Sequence, residues 1–285
     1  MSSALISSAY RNQEHDPARP TGSNSLQLLV KSDVVAQEPQ QAMNTRFYVP
    51  TSLNVPAVEL VGQEAHHLTR VLRKSVGETV CLFDGRGTEA TGQIVTLSKR
   101  VVELQIVETW SVSDVGLGTV ILGTAVPKGD RFRWLVEKAT ELGVARLVPL
   151  KTDRSVVNPS TEKLQKLRQT VIAASKQCGR NRLMKIVQPT AWHNFVLQEF
   201  PDRTAFVAHP AGQPIWQIMG QPMSNEVVVA VGPEGGFTDL ELEQAIQAGA
   251  RLIDLGHQIL RIETAGIVLA TVLGLCAIPT SEDKH

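Results

Sequence analysis

Val227-Val228-Val229-Ala230-Val231-Gly232-Pro233-Glu234-Gly235-Gly236-Phe237-Thr238-Asp239-Leu240-Glu241 is the stretch that decides the fold class. An apolar, mostly β-branched run ends at a glycine-rich turn, and a helix start follows. The run reads as a buried strand. Thr238 as N-cap, with Glu241 three residues on, predicts a capping box. Strand, turn and helix in this order form the unit of an α/β domain, whose ligands collect in loops at the carboxyl ends of the strands. The turn is not Gly-x-Gly-x-x-Gly and lacks the lysine of a P-loop. Glu234 would repel a pyrophosphate, so a ligand carrying positive charge or amino groups fits better. A plain tight turn is the bland alternative. Against it, Gly232 to Gly236 holds three glycines and a proline, more than a turn needs.

The neighbouring sequence continues the alternation. Val120–Ala125, Arg146–Leu150, Thr204–Ala208 and Leu252–Leu255 read as strands. Arg131–Leu142 carries Phe132, Leu135, Val136, Ala139 and Leu142 at helical spacing and stops at Gly143. Pro159–Cys178 reads as a long amphipathic helix and Glu263–Cys276 as an apolar one. The sheet should be mostly parallel. Two further loops follow strands. His209-Pro210-Ala211-Gly212 comes after Ala208, and an ordinary turn is an equal reading of it. Leu255-Gly256-His257-Gln258-Ile259-Leu260-Arg261-Ile262-Glu263-Thr264 precedes the last helix. There Ile259 and Leu260 suit an apolar slot for an adenine ring, and Glu263 sits where a helix dipole favours a carboxylate. Arg261 and Glu263 also read as a surface ion pair. A fourth element, Ser175-Lys176-Gln177-Cys178-Gly179-Arg180-Asn181-Arg182, ends the long helix at Gly179. Arginine suits bidentate phosphate contacts and an Asn amide suits a base edge. A C-cap with solvated arginines is the alternative.

Upstream, residues 43–112 read as a compact β-rich, barrel-like domain. Its signals are a strand over 44–51, then Thr79–Phe83, Glu89–Leu97 and Val101–Val107, with Asp84-Gly85-Arg86-Gly87 as a turn. Leu68, Val71 and Leu72 should share one helical face, with Arg70 and Arg73 beside it. Residues 1–42, rich in serine and glutamine, read as a disordered extension or an upstream start, with Met43 the functional beginning. A targeting role is the lesser reading, because the segment is not acid-poor and has no secretory apolar region.

The formal net charge is zero. It is not evenly spread. Residues 127–185 hold 14 basic and 5 acidic residues, net +9, and residues 186–285 hold 4 and 11, net −7. The basic stretch is a candidate phosphate-binding face, against a solvated helix surface as the alternative. Cys81, Cys178 and Cys276 are too few for a disulfide framework or a cysteine zinc site and fit a reducing compartment. The histidines show no metal-ligand spacing, so no metal is expected. No apolar run reaches the roughly 18 residues of a membrane span.

Taken together, the blocks Arg46-Phe47-Tyr48, His67–Arg73, Leu82–Gly85, Glu137–Val144, Gln177–Asn181, Gly232–Phe237 and Leu255–Ala265 carry a resemblance. From Met43 to about Cys276 the chain resembles the RsmE family of bacterial 16S ribosomal RNA uridine N3-methyltransferases. The resemblance implies a PUA-like RNA-binding β-barrel domain over 43–112 and an α/β SPOUT domain with a deep trefoil knot over 119–278. It implies a cytoplasmic homodimer acting on the small ribosomal subunit, with S-adenosyl-L-methionine bound in the knot loops. On that reading His209, Pro210, Gly232, Pro233, Glu234, Gly235, Gly236, Leu255, Gly256, Ile259, Leu260, Arg261 and Thr264 hold the cofactor. Arg180 or Arg261 would stabilise the uridine anion, Asn181 would orient the base, and Glu234 or Glu263 would accept the N3 proton. Arg46, Arg70, Arg73, Lys128, Arg154, Lys176 and Arg182 would contact RNA. The sequence departs from the family at Asp153, where a Glu is expected. It departs again at His257-Gln258 and Ile262, where Pro-Arg and Thr are expected. A SPOUT enzyme acting on transfer RNA ribose and a non-catalytic RNA-binding protein are the rival readings. A Rossmann oxidoreductase is disfavoured by the missing glycine fingerprint.

Overall fold

The structure, a computed structural model, describes residues 46–98, 100–111, 119–221 and 223–276. The readings made of residues 1–42, of 44–45 and of 277–278 lie outside the described residues.

The N-terminal part is built on β1 (Arg46–Tyr48), β2 (Ala57–Val61), β3 (Thr79–Phe83), β4 (Thr88–Leu97) and β5 (Val101–Ser111). They form one sheet in the order β1-β3-β4-β5-β2, in which β1 is parallel to β3 and the other neighbours are antiparallel. The sheet curls around Phe47, Leu60, Leu82, Ile94 and Leu104, with β1 and β2 as its two edges. Two register shifts along β4, at Thr91/Gly92 and Ile94/Thr96, supply the local twist that curling needs. The helix expected around His66–Arg73 is present but irregular. α1 (Gly62–His66) passes into a π-helical turn, His67–Val71, with the Leu72 N–H donating to the His67 carbonyl at 3.0 Å. The wider π turn rotates Val71 away from Leu68: Leu68 is fully buried while Val71 is 61% exposed. Of the shared face expected of Leu68, Val71 and Leu72, Leu68 and Leu72 do pack on one core and Val71 does not.

The larger part alternates strand and helix. Its elements are β6 (Thr119–Ala125), α2 (Arg131–Glu141), β7 (Arg146–Lys151), α3 (Thr161–Cys178), β8 (Lys185–Ile186), β9 (Thr190–Ala191), α4 (Trp192–Glu199), β10 (Thr204–Pro214), β11 (Glu226–Val231), α5 (Asp239–Gln247), β12 (Arg251–Asp254) and α6 (Ile262–Cys276). The strand order is β12-β10-β11-β6-β7-β8, with β9 also on β7, and every pairing is parallel. Period-2 alternation sorts the strand residues into two cores. Val120, Leu122, Val227 and Val229 face α2, α3 and α6, whereas Ile121, Val228 and Ala230 face α4 and α5. Each fully buried Leu or Phe in these layers contributes about 1.5–3 kcal/mol.

Parallel pairing fixes which loops share an edge. The segments after β6, β7, β10, β11 and β12 all leave the carboxyl edge of the sheet. α3 starts at that edge and runs back about 27 Å, at 1.5 Å per residue, to the amino edge. It ends at Gly179, which adopts the left-handed conformation (φ 81°) and caps the helix. β8 then pairs at the amino end of β7, Lys185 opposite Arg146.

Candidate functional site

At the carboxyl edge, β10 does something periodicity did not show. The sequence places a loop after Ala208, but the strand continues to Pro214, and Ile253 of β12 pairs with both Ala208 and Gln213. Residues 209–212 thus leave the ladder and return to the same partner. Gly212 lies against the β12 backbone: a Cβ there would stand 2.4 Å from the Ile253 nitrogen, so only glycine allows the return. Within the excursion His209 is half-buried and its Nδ1 accepts the Ala211 N–H at 3.1 Å. Pro210 is exposed.

The glycine loop stands next to it, after β11. The Gly236 N–H donates to the Pro233 carbonyl at 2.8 Å. The expected capping box is formed: the Thr238 hydroxyl accepts the Glu241 N–H and a Glu241 carboxylate oxygen accepts the Thr238 N–H at 2.8 Å. Glu241 is only 4% exposed, and its other oxygen accepts the Asp153 N–H at 2.9 Å. Beside it, Arg154 donates to the carbonyls of Gly235, at 2.6 Å, and Phe237, at 3.3 Å. Arg154 therefore braces the glycine loop through Nη1 while remaining exposed, a role the RNA reading of this residue did not include. The bond between Glu241 and Asp153 was not foreseen, since it spans 88 residues of sequence. Glu234 and Gly235 are exposed, while Pro233 is buried.

The third segment joins β12 to α6. Gly256 has φ 113° and its N–H donates to Asp254 Oδ1 at 3.1 Å. Leu255 and Leu260 lean on the main core, but Ile259 is 101% exposed. The slot expected from Ile259 and Leu260 is therefore not formed within the chain, because the two side chains leave the segment in different directions. Arg261 and Thr264 are exposed, and the Arg261 carbonyl accepts the Ala265 N–H at 2.9 Å, opening α6. Glu263 is 6% exposed and faces Arg131 (3.7 Å), against the alternative reading of a surface pair with Arg261. Its Oε2 is buried without a hydrogen-bond partner among the described residues.

The residues Arg180, Asn181 and Arg182 stand elsewhere, beyond the C-terminal end of α3. There the Arg180 Nη1 donates to the Thr140 carbonyl at 3.0 Å, at the C-terminal end of α2. Glu263 is paired at the opposite end of that helix, through Arg131. The length of β7, about 20 Å at 3.3 Å per residue, separates the two edges. A single chain therefore does not bring Arg180 and Asn181 to Arg261 and Glu263.

The N-terminal sheet holds this second locus. Arg46 is 6% exposed; it pairs with Glu89, donates to Asn181 Oδ1 and to the Ser175 carbonyl (3.3 Å), and stacks over Phe83 at 4.6 Å. Lys176 pairs with Glu64 at 2.7 Å and lies 5.1 Å from the centre of the Phe47 ring. Both were expected at RNA. In the structure Arg46 is buried and Lys176 partly so, and each ties the N-terminal part to α3, Arg46 from β1 and Lys176 through Glu64 of α1. Arg182 is exposed, in an isolated bridge with Arg86. Arg70, Arg73 and Lys128 are exposed, as phosphate contacts need to be. An open cleft of about 800 Å³ lies where Glu64 and His67 meet α2 and α3, and within it Lys176 pairs with Glu64 and Lys138 with Glu141.

A strand that leaves and rejoins its partner at the carboxyl edge, an arginine-braced glycine loop and a small curled sheet define a class. Residues 116–274 match the model of an RNA methyltransferase domain, and residues 60–107 that of an RNA methyltransferase PUA domain. Relatives named Ribosomal RNA small subunit methyltransferase E occur in Synechocystis and in Bacillus subtilis. The first is 32% identical, covering 77% of this chain and 73% of the relative; the second is 29% identical, covering 74% and 86%. Among solved structures, that enzyme from Neisseria gonorrhoeae, bound to S-adenosyl methionine, aligns at TM-score 0.72 with 29% identity over 81% of this chain and 97% of the other. A Legionella pneumophila methyltransferase holding the same cofactor aligns at 0.71 with 32% identity and the same coverage. The chain belongs to the Ribosomal RNA small subunit methyltransferase E family.

Proposed function

We propose that the chain methylates N3 of a uridine in 16S ribosomal RNA of the small subunit, using S-adenosyl-L-methionine. The observation that carries this is the carboxyl-edge site: the β10 return, the Arg154-braced glycine loop and the Leu255–Thr264 segment meet at one edge of a parallel sheet. The residues suit the cofactor. Gly236 and Gly256 face open space where a side chain would intrude, and the orphaned Glu263 Oε2 offers an acceptor to an ammonium or hydroxyl group. When bound, the cofactor supplies an electrophilic methyl on its sulfonium sulfur. The chain holds it through His209–Gly212, Gly232–Gly236 and Leu255–Thr264. Curling of the small sheet into a PUA-like barrel over 43–112, and threading of the knot within 119–278, belong to the same reading. So does a cytoplasmic place, where small subunits are substrates.

Uridine N3 carries a proton at neutral pH, so the site must remove it and steady the anion. Arg180 supplies positive charge for that, Asn181 orients the base, and Glu234 or Glu263 takes the proton. Arg261 stands at the carboxyl edge as the alternative cation. Because Arg180 and Asn181 lie at the sheet edge opposite Glu263, the full set needs a second copy. The proposed homodimer would bring one protomer's 180–182 turn to the other's cofactor loops. Near-attack alignment then depends on that interface. The test is primer extension on 16S RNA from cells with and without the protein. The expected result is a block at one uridine that vanishes in the deletion and returns with the intact chain but not with Arg180→Ala. Nucleoside mass spectrometry showing a 2′-O-methyl group instead would replace this reading with a ribose methyltransferase.

A further inference from the structure

Asn181, in the turn after α3, is held in one amide orientation by a residue of β1 in the N-terminal sheet. Arg46 Nη2 donates to Asn181 Oδ1 and to Glu89. A guanidinium has donors only, so the atom of Asn181 that faces it has to be the oxygen. The Asn181 NH₂ group is thereby turned away from Arg46 and left to donate. Arg46 itself cannot swing to another partner cheaply. It is 6% exposed, stacked on Phe83, shared with Glu89 and anchored to the Ser175 carbonyl.

We propose that Arg46 is a positioning residue that makes Asn181 a donor to the O4 carbonyl of uracil, and so sets the preference for uridine over cytidine. Around N3 the two bases differ at position 4: uracil presents a carbonyl acceptor, cytosine an amino donor. A fixed NH₂ group satisfies the first and meets the second donor to donor. A site built to hydrogen-bond one group rejects an analogue that leaves it unpaired. The small sheet would then take part in choosing the base, beyond any grip on RNA. This rests on the reading that the 180–182 turn reaches the target base.

The test uses the full chain and 16S RNA carrying either uridine or cytidine at the position that primer extension identifies. On cytidine the N3 lone pair forms the bond to methyl as the sulfur–methyl bond breaks with its electrons left on sulfur. The product is 3-methylcytidinium, and no proton has to leave. Asn181→Asp keeps an oxygen for Arg46 but has no donor. It should lower the uridine-to-cytidine ratio of kcat/KM by about ten- to hundredfold, and shift the ratio of RNA Kd values in the same direction with no methyl donor present. Arg46→Lys, also a pure donor, should retain the ratio, while Arg46→Gln, which can face the amide either way, should lose it. Equal losses on both RNAs, with the ratio unchanged in Asn181→Asp, would overturn the proposal and leave the methyltransferase reading intact. Wild-type protein that transfers no methyl to the uridine RNA would instead overturn that reading, and this proposal with it. Should Arg46→Gln fail to fold, Asn181→Asp decides alone.

Discussion

Arg154 shows how a single side chain changes meaning between sequence and structure. In the sequence it is one cation of a +9 stretch. In the structure its guanidinium crosses 81 residues of chain to hold the Gly235 carbonyl. An arginine bonded through Nη1 to two backbone oxygens stabilises a loop shape. Arg154→Ala should therefore raise the Kd for S-adenosylmethionine about tenfold, the worth of one or two hydrogen bonds. Isothermal titration checks the cofactor, and filter binding should show RNA affinity unchanged. Weaker RNA binding with intact cofactor affinity would return Arg154 to the RNA face. That Arg154, Arg46 and Lys176 were legible as cations but not by their partners has a plain cause. Charge is local in sequence, whereas Glu64, Glu89 and the Gly235 carbonyl reach them only through the tertiary fold.

At the scale of elements, what is encoded within a few residues was readable. The Thr238–Glu241 capping box needs a spacing of three, and α2, α3, β6 and β11 follow from period and run length. The β10 return was not readable, because its cause is Gly212 meeting the backbone of β12, forty residues downstream. The π turn after α1 was missed because its residues fit a regular helix equally well. Glu241 joins both kinds of information. One oxygen completes the local box, and the other caps Asp153 at the end of β7. Glu241→Ala leaves two backbone donors without their carboxylate at a 4% exposed position. The cost should be about 2–4 kcal/mol, from the cap and the unsatisfied donors together. Urea denaturation should show it as a lower midpoint at constant slope. Glu241→Gln, which retains one acceptor oxygen, should lose roughly half as much; equal losses in the two variants would show that packing, not the two acceptors, matters.

At the scale of the whole molecule, net charge zero conceals a division of labour among the cations. The stretch 127–185 suggested one phosphate-binding face. In the structure Arg154 and Lys176 of that stretch, and Arg46 of the small sheet, each bond an oxygen of the protein. Lys128 remains exposed at the carboxyl edge, as do Arg70 in the π turn after α1 and Arg73 just beyond it. Each lysine or arginine that neutralises a phosphate of single-stranded RNA adds about 0.7 to the slope of log affinity against log salt. Fluorescence anisotropy over a potassium chloride series separates the two groups. Arg70→Ala, Arg73→Ala and Lys128→Ala should each reduce the slope by about that amount. Lys176→Ala should leave the slope alone and lower the melting temperature, because it removes the tie between α3 and Glu64. A slope that falls as far with Lys176→Ala as with Arg73→Ala would put α3 back on the RNA. The small sheet would then be docked through charges shared with the substrate rather than through its own ion pairs.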